Sequence, residues 1–350
     1  MRRPPETPSQ HARILRDRIR WRIATAVGSF RLRGRSPDPS APVDIPGDLL
    51  RVYSDKYAIL ETNERSADDT LLAFEVSDAS DFDLMERAIV ENGFYEVPHV
   101  WPFRVDRDKR VMAEIVASLN QGGRVLELGC ASGAVLEGLA LRGLEFAGVD
   151  ISHMAREMAS DAVRDHIHLG DVLTTDLGSG IDTIFGLDIF EHLNPNKLDA
   201  YLDRLRELLE DGGLLFANIP GFGEDEVFGE IFPRYLPEWD ADAAAGRPFR
   251  YLHAGHDGYP ISGHLIWAES SWWVDQFAKA DLLRRSVIEL ALHDKYDGYM
   301  RVHSPARRSF YVFSGGACPN ESQIAARISE SPSLELMTLR RVKTLAMLWR

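Results

Sequence analysis

The feature that most constrains this chain is an alternation that starts at Arg124. Short apolar runs, "RVLELG", "EFAGVD", "IHLGDV", "IDTIFGLDIF" and "GGLLFANIP", are interleaved with amphipathic stretches such as "GAVLEGLALRG", "ISHMAREMASDAV" and "LDAYLDRLRELL". Apolar runs of this kind need cover on both faces, and the intervening helices supply it. The pattern predicts an α/β fold, a doubly wound Rossmann-like sheet. Such sheets bind ligands beyond the carboxyl ends of their strands, which places any site in the loops after Leu128, Val149, Leu169, Leu187 and Ile219.

The first of those loops reads "ELGCASG". Gly129 and Gly133 let the backbone turn sharply and approach a ligand, and the next helix aims its amide dipoles at that point. A dinucleotide fingerprint asks for Gly at 129, 131 and 134, whereas this chain has Gly129, Ala131 and Ala134. Glu127 would also sit badly beside a diphosphate. A cationic ligand fits better. Asp150 ends the second run, where a carboxylate can accept both hydroxyls of a ribose. Asp171 ends the third, within reach of an adenine amino group, with Val172 beside the ring. Carboxylates at the ends of three successive strands describe an adenosine that carries positive charge and no phosphate. Each carboxylate taken alone can instead cap the helix that follows it.

On "VLELGCASG", "GVDIS", "GDV", "LDIFEHL" and "LEDGGLLFANIP", over roughly residues 95 to 314, the chain resembles the class I S-adenosylmethionine-dependent methyltransferases. The resemblance implies a seven-stranded sheet with the last strand antiparallel, its closing pair drawn from "SVIELAL" and "RSFYVFS", and S-adenosyl-L-methionine as cofactor. It implies Glu127 and the turn Gly129, Cys130, Ala131, Ser132 and Gly133 for the amino acid end. Asp150 with Ile151 would serve the ribose, Asp171 and Val172 the adenine, and Leu187 and Asp188 the region by the sulfonium.

Methyl transfer is an in-line displacement, so alignment of the acceptor matters most, and a hydroxyl acceptor also needs a base. The candidates are His192 in "DIFEHL", with Glu191 a weaker one, and His256 further along. Packing or hydrogen bonding is the competing role for His192. Residues 221–268, rich in Gly, Pro and aromatics, break the alternation after the fifth run and read as a lid over the acceptor. Its candidate acceptor-binding residues are His253, Tyr259, His264 and Trp267. The aromatic rings can stack on a sugar or simply pack the lid onto the sheet. Three histidines and Asp257 within twelve positions suggest a metal, but Gly255, Gly258, Pro260 and Gly263 make this a loop without a helical ligand face. No metal is expected.

The segment from "GHLIWAESSWWVDQFAKADLL" through "LHDKYDGYM" to "PARRSFYVF" resembles methyltransferases of surface polysaccharide and glycan assembly. That implies O-methylation of a sugar hydroxyl on a nucleotide-linked, lipid-linked or polymeric glycan. A small lipid, quinone or secondary metabolite is the alternative acceptor. A membrane-docked scaffold without chemistry is the alternative outside enzymes.

Composition limits the rest. With 350 residues and 45% apolar side chains a sizeable core is available. The formal charge of -14 speaks against a nucleic-acid groove. Cys130 and Cys318 are too few and too far apart for a disulfide framework, which suits the cytoplasm. No leader and no membrane span is expected, since no apolar stretch approaches the roughly 20 residues needed. Residues 1–35 nevertheless carry ten arginines, with Leu15, Ile19, Ile23, Ala26, Val27 and Phe30 along one helical face. Residues 336–350 repeat the theme. Both ends can lie on an anionic membrane surface, giving a peripheral inner-face location, or dock on the acidic body or a sister subunit of a homo-oligomer. The expected organisation is a basic arm (1–35), a linker (36–47), an N-terminal helical cap (48–119), the main domain (120–316) with its lid, and a basic amphipathic tail (317–350).

Overall fold

The computed structural model describes residues 45–53, 71–96, 105–231, 241, 242, 244, 245, 250–254, 258–304, 307–333, 335 and 336. In chain order the elements are β1 (Leu50–Tyr53), β2 (Leu71–Glu75), α1 (Ala79–Glu91), α2 (Arg107–Leu119), β3 (Val125–Leu128), α3 (Ala134–Ala140), β4 (Phe146–Asp150), α4 (His153–Met158), β5 (Ile167–Leu169), β6 (Ile181–Leu187), α5 (Leu198–Leu208) and β7 (Leu209–Asn218). They continue with β8 (Glu224–Asp225), β9 (Gly229–Glu230), β10 (Tyr251–His253), α6 (Ser270–Lys279), β11 (Leu282–Arg284), α7 (Ser286–His303), β12 (Phe310–Gly315) and α8 (Glu321–Glu330).

Seven strands form one sheet in the order β11-β12-β7-β6-β3-β4-β5. The pairs from β5 through β7 are parallel, and β12 runs antiparallel to both its neighbours. Every residue of β3 is buried, and β6 is buried at all positions but its last, which matches the unbroken apolar runs that predicted them. The strand order reverses direction at β3, between β4 and β6, so the loops after these strands diverge and leave a crevice.

The helix α2 shows how the flanking layers form. Asp106 accepts the backbone N–H of Lys109 at 2.9 Å and so caps its start, while Val111, Met112, Ile115, Val116 and Leu119 face the core. Its far end is closed by Arg327 of α8, which donates to the carbonyls of Ser118, Leu119 and Asn120. The segment 321–330, expected as part of a basic tail, is thus a helix docked on the body.

Two other expectations change. "SVIELAL" is not a strand: it opens α7, where Ile288, Ala291, Leu292, Tyr296 and Met300 recur at helical spacing and are all buried. The strand that pairs with β12 is the shorter Leu282–Arg284, entered through the left-handed Asp281 (φ 57°). Residues 48–119 hold strands as well as helices: β1 and β2 pair with β10 in a separate sheet of order β1-β2-β10. Phe74, Phe82, Met85 and Ile89 pack there with Leu252 and Leu265, so this region and the segment after β9 share one small core. Each fully buried leucine in it contributes about 2 kcal/mol.

No helix among the described residues is long and apolar enough to cross a membrane. The arm 1–35, nearly all of the linker and residues 337–350 lie outside the described residues.

Candidate active site

A cavity of about 450 Å3 opens at the carboxyl edge of the sheet, where β3, β4, β5 and β6 end. Its floor is the turn after β3. Gly129, Ala131 and Gly133 all take left-handed backbone angles (φ 60°, 45° and 72°), which swings the chain around in five residues. At Gly129 a Cβ would lie 2.6 Å from Ile189, so glycine is required twice over, by conformation and by space. Cys130 packs under the turn against Gly148 and is buried, with burial pushing its thiol well up, so it is a packing residue and no nucleophile.

The carboxylates differ in how they are held. Asp150 accepts the N–H of Ala131 and that of Ser152, each at 2.8 Å, and thereby ties the turn to the start of α4. Burial raises its pKa and those amides oppose the rise. Asp171 accepts the Leu173 N–H at 2.9 Å and the Tyr201 hydroxyl at 2.8 Å. Glu127 is only 4% exposed, yet its Oε2 has no hydrogen-bond partner among the described residues. Burial raises its pKa well above the carboxylate range, and the ammonium of Lys109 works the other way. An orphaned acceptor on a cavity wall is completed by a donor that brings positive charge.

Of the residues expected to bind cofactor, Glu127, Gly129, Cys130, Ala131, Ser132, Asp150, Ile151, Asp171, Val172, Leu187 and Asp188 line the cavity. Gly133 does not: it is the N-cap of α3 and packs on Val163. Sequence reasoning missed two cations on the same wall, Lys109 from α2 and Arg307 from the segment before β12. Arg307 donates through Nε and a terminal nitrogen to Asp188, at 2.7 and 2.6 Å, and Asp188 itself sits at φ 51°. Lys109 was visible only as one of several charges in "RVDRDKR", and nothing local marks Arg307.

His192, at the end of the short turn Phe190–His192, also lines the cavity. Tyr95 Oη lies 3.3 Å from its Nδ1, and burial pushes its imidazole down to about 4, against the Asp188 charge and the backbone of Gly263 and Asp188. The residues expected to bind acceptor stand behind it. His264 meets His192 edge to face at 4.7 Å between ring centres, and Trp267 packs beside His264 at 5.6 Å. His253, buried on β10, lies against Trp267, and Tyr259 shares a hydrogen bond with Asn92. None of these four lines the cavity; Leu265 is the residue of 258–268 that does. His256 lies outside the described residues.

The segment around His264 is held by backbone. The N–H groups of Leu265 and Ile266 donate to the carbonyl of Glu191, at 2.7 and 3.0 Å. Gly263 (φ 77°) allows the approach, since a Cβ there would stand 3.1 Å from Phe94 and from the Tyr95 hydroxyl.

Residues 100–254 match the family model of a methyltransferase domain. With this fold and wall, the cavity is a site for S-adenosylmethionine, and the orphaned Glu127 Oε2 fits a ligand that brings an ammonium. The chain is 27% identical over 128 residues to a ubiquinone biosynthesis O-methyltransferase of Chelativorans sp. (strain BNC1), which covers 33% of this chain and 50% of that protein. It thus spans about half the length of the curated relative it matches. Among solved structures, a Burkholderia thailandensis 1,6-didemethyltoxoflavin-N1-methyltransferase overlays 70% of this chain and 93% of its own, at 16% identity and a TM-score of 0.42. CalS10, an amino pentose methyltransferase from Micromonospora echinaspora, overlays 65% and 97%, at 20% identity and a TM-score of 0.39. These overlays are loose and carry no argument; the strand order, with one antiparallel strand near its edge, stands on its own as the fold.

Proposed function

We propose that this chain is an S-adenosylmethionine-dependent O-methyltransferase whose acceptor is a sugar hydroxyl of a nucleotide-linked, lipid-linked or polymeric glycan. The observation that carries the methyltransferase reading is the set of three carboxylates at the carboxyl ends of β3, β4 and β5 that line one cavity, with Glu127 Oε2 left without a hydrogen-bond partner among the described residues. The cofactor, when bound, supplies a methyl group on a positively charged sulfur. Glu127 Oε2 takes the ammonium of its amino acid end, and Lys109, on the same wall, takes the carboxylate. Asp150 keeps one lone pair on each oxygen free of its two backbone donors, enough to receive two ribose hydroxyls. Asp171 and Val172 flank the adenine. Arg307 holds Asp188 in place beside Leu187, at the reacting end.

His192 is the polar group of the acceptor end. The sugar assignment rests on the resemblance of residues 263–313 to glycan methyltransferases. A quinone or related small phenol is the second reading, favoured by the ubiquinone biosynthesis relative. Both call for a hydroxyl acceptor, and one experiment separates them. The full chain is incubated with methyl-labelled cofactor and either nucleotide sugars and lipid-linked glycan or demethylated quinols. Label transferred to the glycan fraction supports the first reading; label in the quinol alone defeats it.

A further inference from the structure

Behind the cavity wall three groups converge that the cofactor does not use. Glu191 is fully buried, and neither of its carboxylate oxygens has a hydrogen-bond partner among the described residues. His264 Nε2 lies 3.7 Å from its Oε1, and the Nδ1 of His264 is likewise without a hydrogen-bond partner among the described residues. His192 stands edge-on to His264 and reaches the cavity. One ligating atom from each of Glu191, His192 and His264 lies within 4.8 Å of the other two.

A purely structural role does not explain this corner. A buried carboxylate stripped of donors costs several kcal/mol, which a leucine at position 191 would avoid. Backbone nonetheless fixes the geometry, through the bonds from Leu265 and Ile266 to the Glu191 carbonyl. Two bonds of about 2.1 Å to one ion span about 4.2 Å, so a small side-chain rotation closes the set around it.

We propose that Glu191, His192 and His264 hold one divalent cation of the kind that prefers mixed nitrogen and oxygen ligands, such as Mn2+, Fe2+, Co2+ or Zn2+. One carboxylate oxygen and two imidazole nitrogens leave coordination positions open, as in sites that bind a reactant. The cation receives oxygen atoms of the acceptor at the His192 wall of the cavity; this role, unlike the site itself, rests on the O-methyl transfer reading. The ligand pattern differs from the histidine-rich loop that the sequence offered. His253 is not in it, and Glu191 and His192 come from the turn after β6.

The test uses the full chain, stripped with EDTA and titrated with Mn2+ or Co2+ alone, followed by calorimetry and by the spectrum of the bound ion. The expected result is one ion per chain with imidazole nitrogen in its coordination sphere. Glu191→Gln and His264→Ala should each weaken binding by at least about tenfold, while His253→Gln should leave it unchanged. Binding of S-adenosylhomocysteine by each variant confirms that it is folded. Wild-type protein that binds this nucleoside but no ion overturns the site, as do folded variants that bind the ion as well as wild type. If the variants fail to fold, the wild-type spectrum decides: an ion without imidazole ligands overturns the proposal. An ion bound as expected in a protein that methylates no hydroxyl leaves the site standing and defeats the O-methyl reading instead.

Discussion

Two walls of one cavity are built in opposite ways. On the cofactor side, Asp150 ends β4 and Asp171 lies two residues past β5, and both carboxylates are satisfied by donors close at hand or on the adjacent helix α5. On the acceptor side, Glu191 and His192 follow β6, but His264 arrives from far along the chain, and neither carboxylate oxygen of Glu191 has a hydrogen-bond partner among the described residues. The first wall is formed mostly by turn chemistry, with Glu127 Oε2 left as an orphaned acceptor among the described residues. The second is assembled by packing between the main sheet and the small β1-β2-β10 core, and it leaves the Glu191 carboxylate oxygens and His264 Nδ1 without hydrogen-bond partners among the described residues.

The sharpest break between the walls comes from Asp150→Ala. It removes the proposed ribose acceptor and releases the amides of Ala131 and Ser152 that Asp150 anchors. At about 1.5–3 kcal/mol for each bond to a charged group, the affinity for S-adenosylhomocysteine should fall at least about a hundredfold in calorimetry. Unchanged binding would remove the ribose assignment. His192→Ala should do the reverse, lowering kcat by about 10²–10³ while the same nucleoside binds within about twofold of wild type. A joint loss of both would show that the two walls are one unit.

The acceptor side should also carry the acid sensitivity. His253 is 1% exposed and burial pushes its imidazole down to about 4, below the 6.5 of an unfolded chain. The folded state therefore binds fewer protons there. This stability is complete above pH 6.5 and is lost as pH falls toward 4, by up to about 3 kcal/mol. Urea unfolding at pH 7 and pH 4.5 should show the loss, and His253→Gln should flatten it; an equal slope in the variant would count against the assignment. Smallest is Gly263→Ala, where a left-handed φ and 3.1 Å contacts to Phe94 and Tyr95 meet a new methyl. A drop of about 1–2 kcal/mol is expected in thermal unfolding, with nucleoside affinity unchanged.

Much of this was legible from residues alone, and the pattern of success has a cause. The apolar runs and the carboxylates at their ends depend on neighbours a few positions away, so the sequence alone places Glu127, Asp150 and Asp171 at the binding edge, where the cavity lies. "SVIELAL" went astray because a short apolar run reads the same as strand or helix, and only the continuation through Tyr296 and Met300 decides between them. Lys109 and Arg307 carried no local mark, since a cation's role on a cavity wall depends on which face the fold turns inward.

The sequence by itself determined the α/β alternation, the edge of the sheet that binds and the cationic adenosine that suits it, because strand and turn chemistry are short-range. Tertiary structure alone decided which residues meet at the acceptor end. His264 reaches Glu191 and His192 only because Gly263 permits the close approach and Leu265 buries into the second core, contacts whose partners lie scores of residues away.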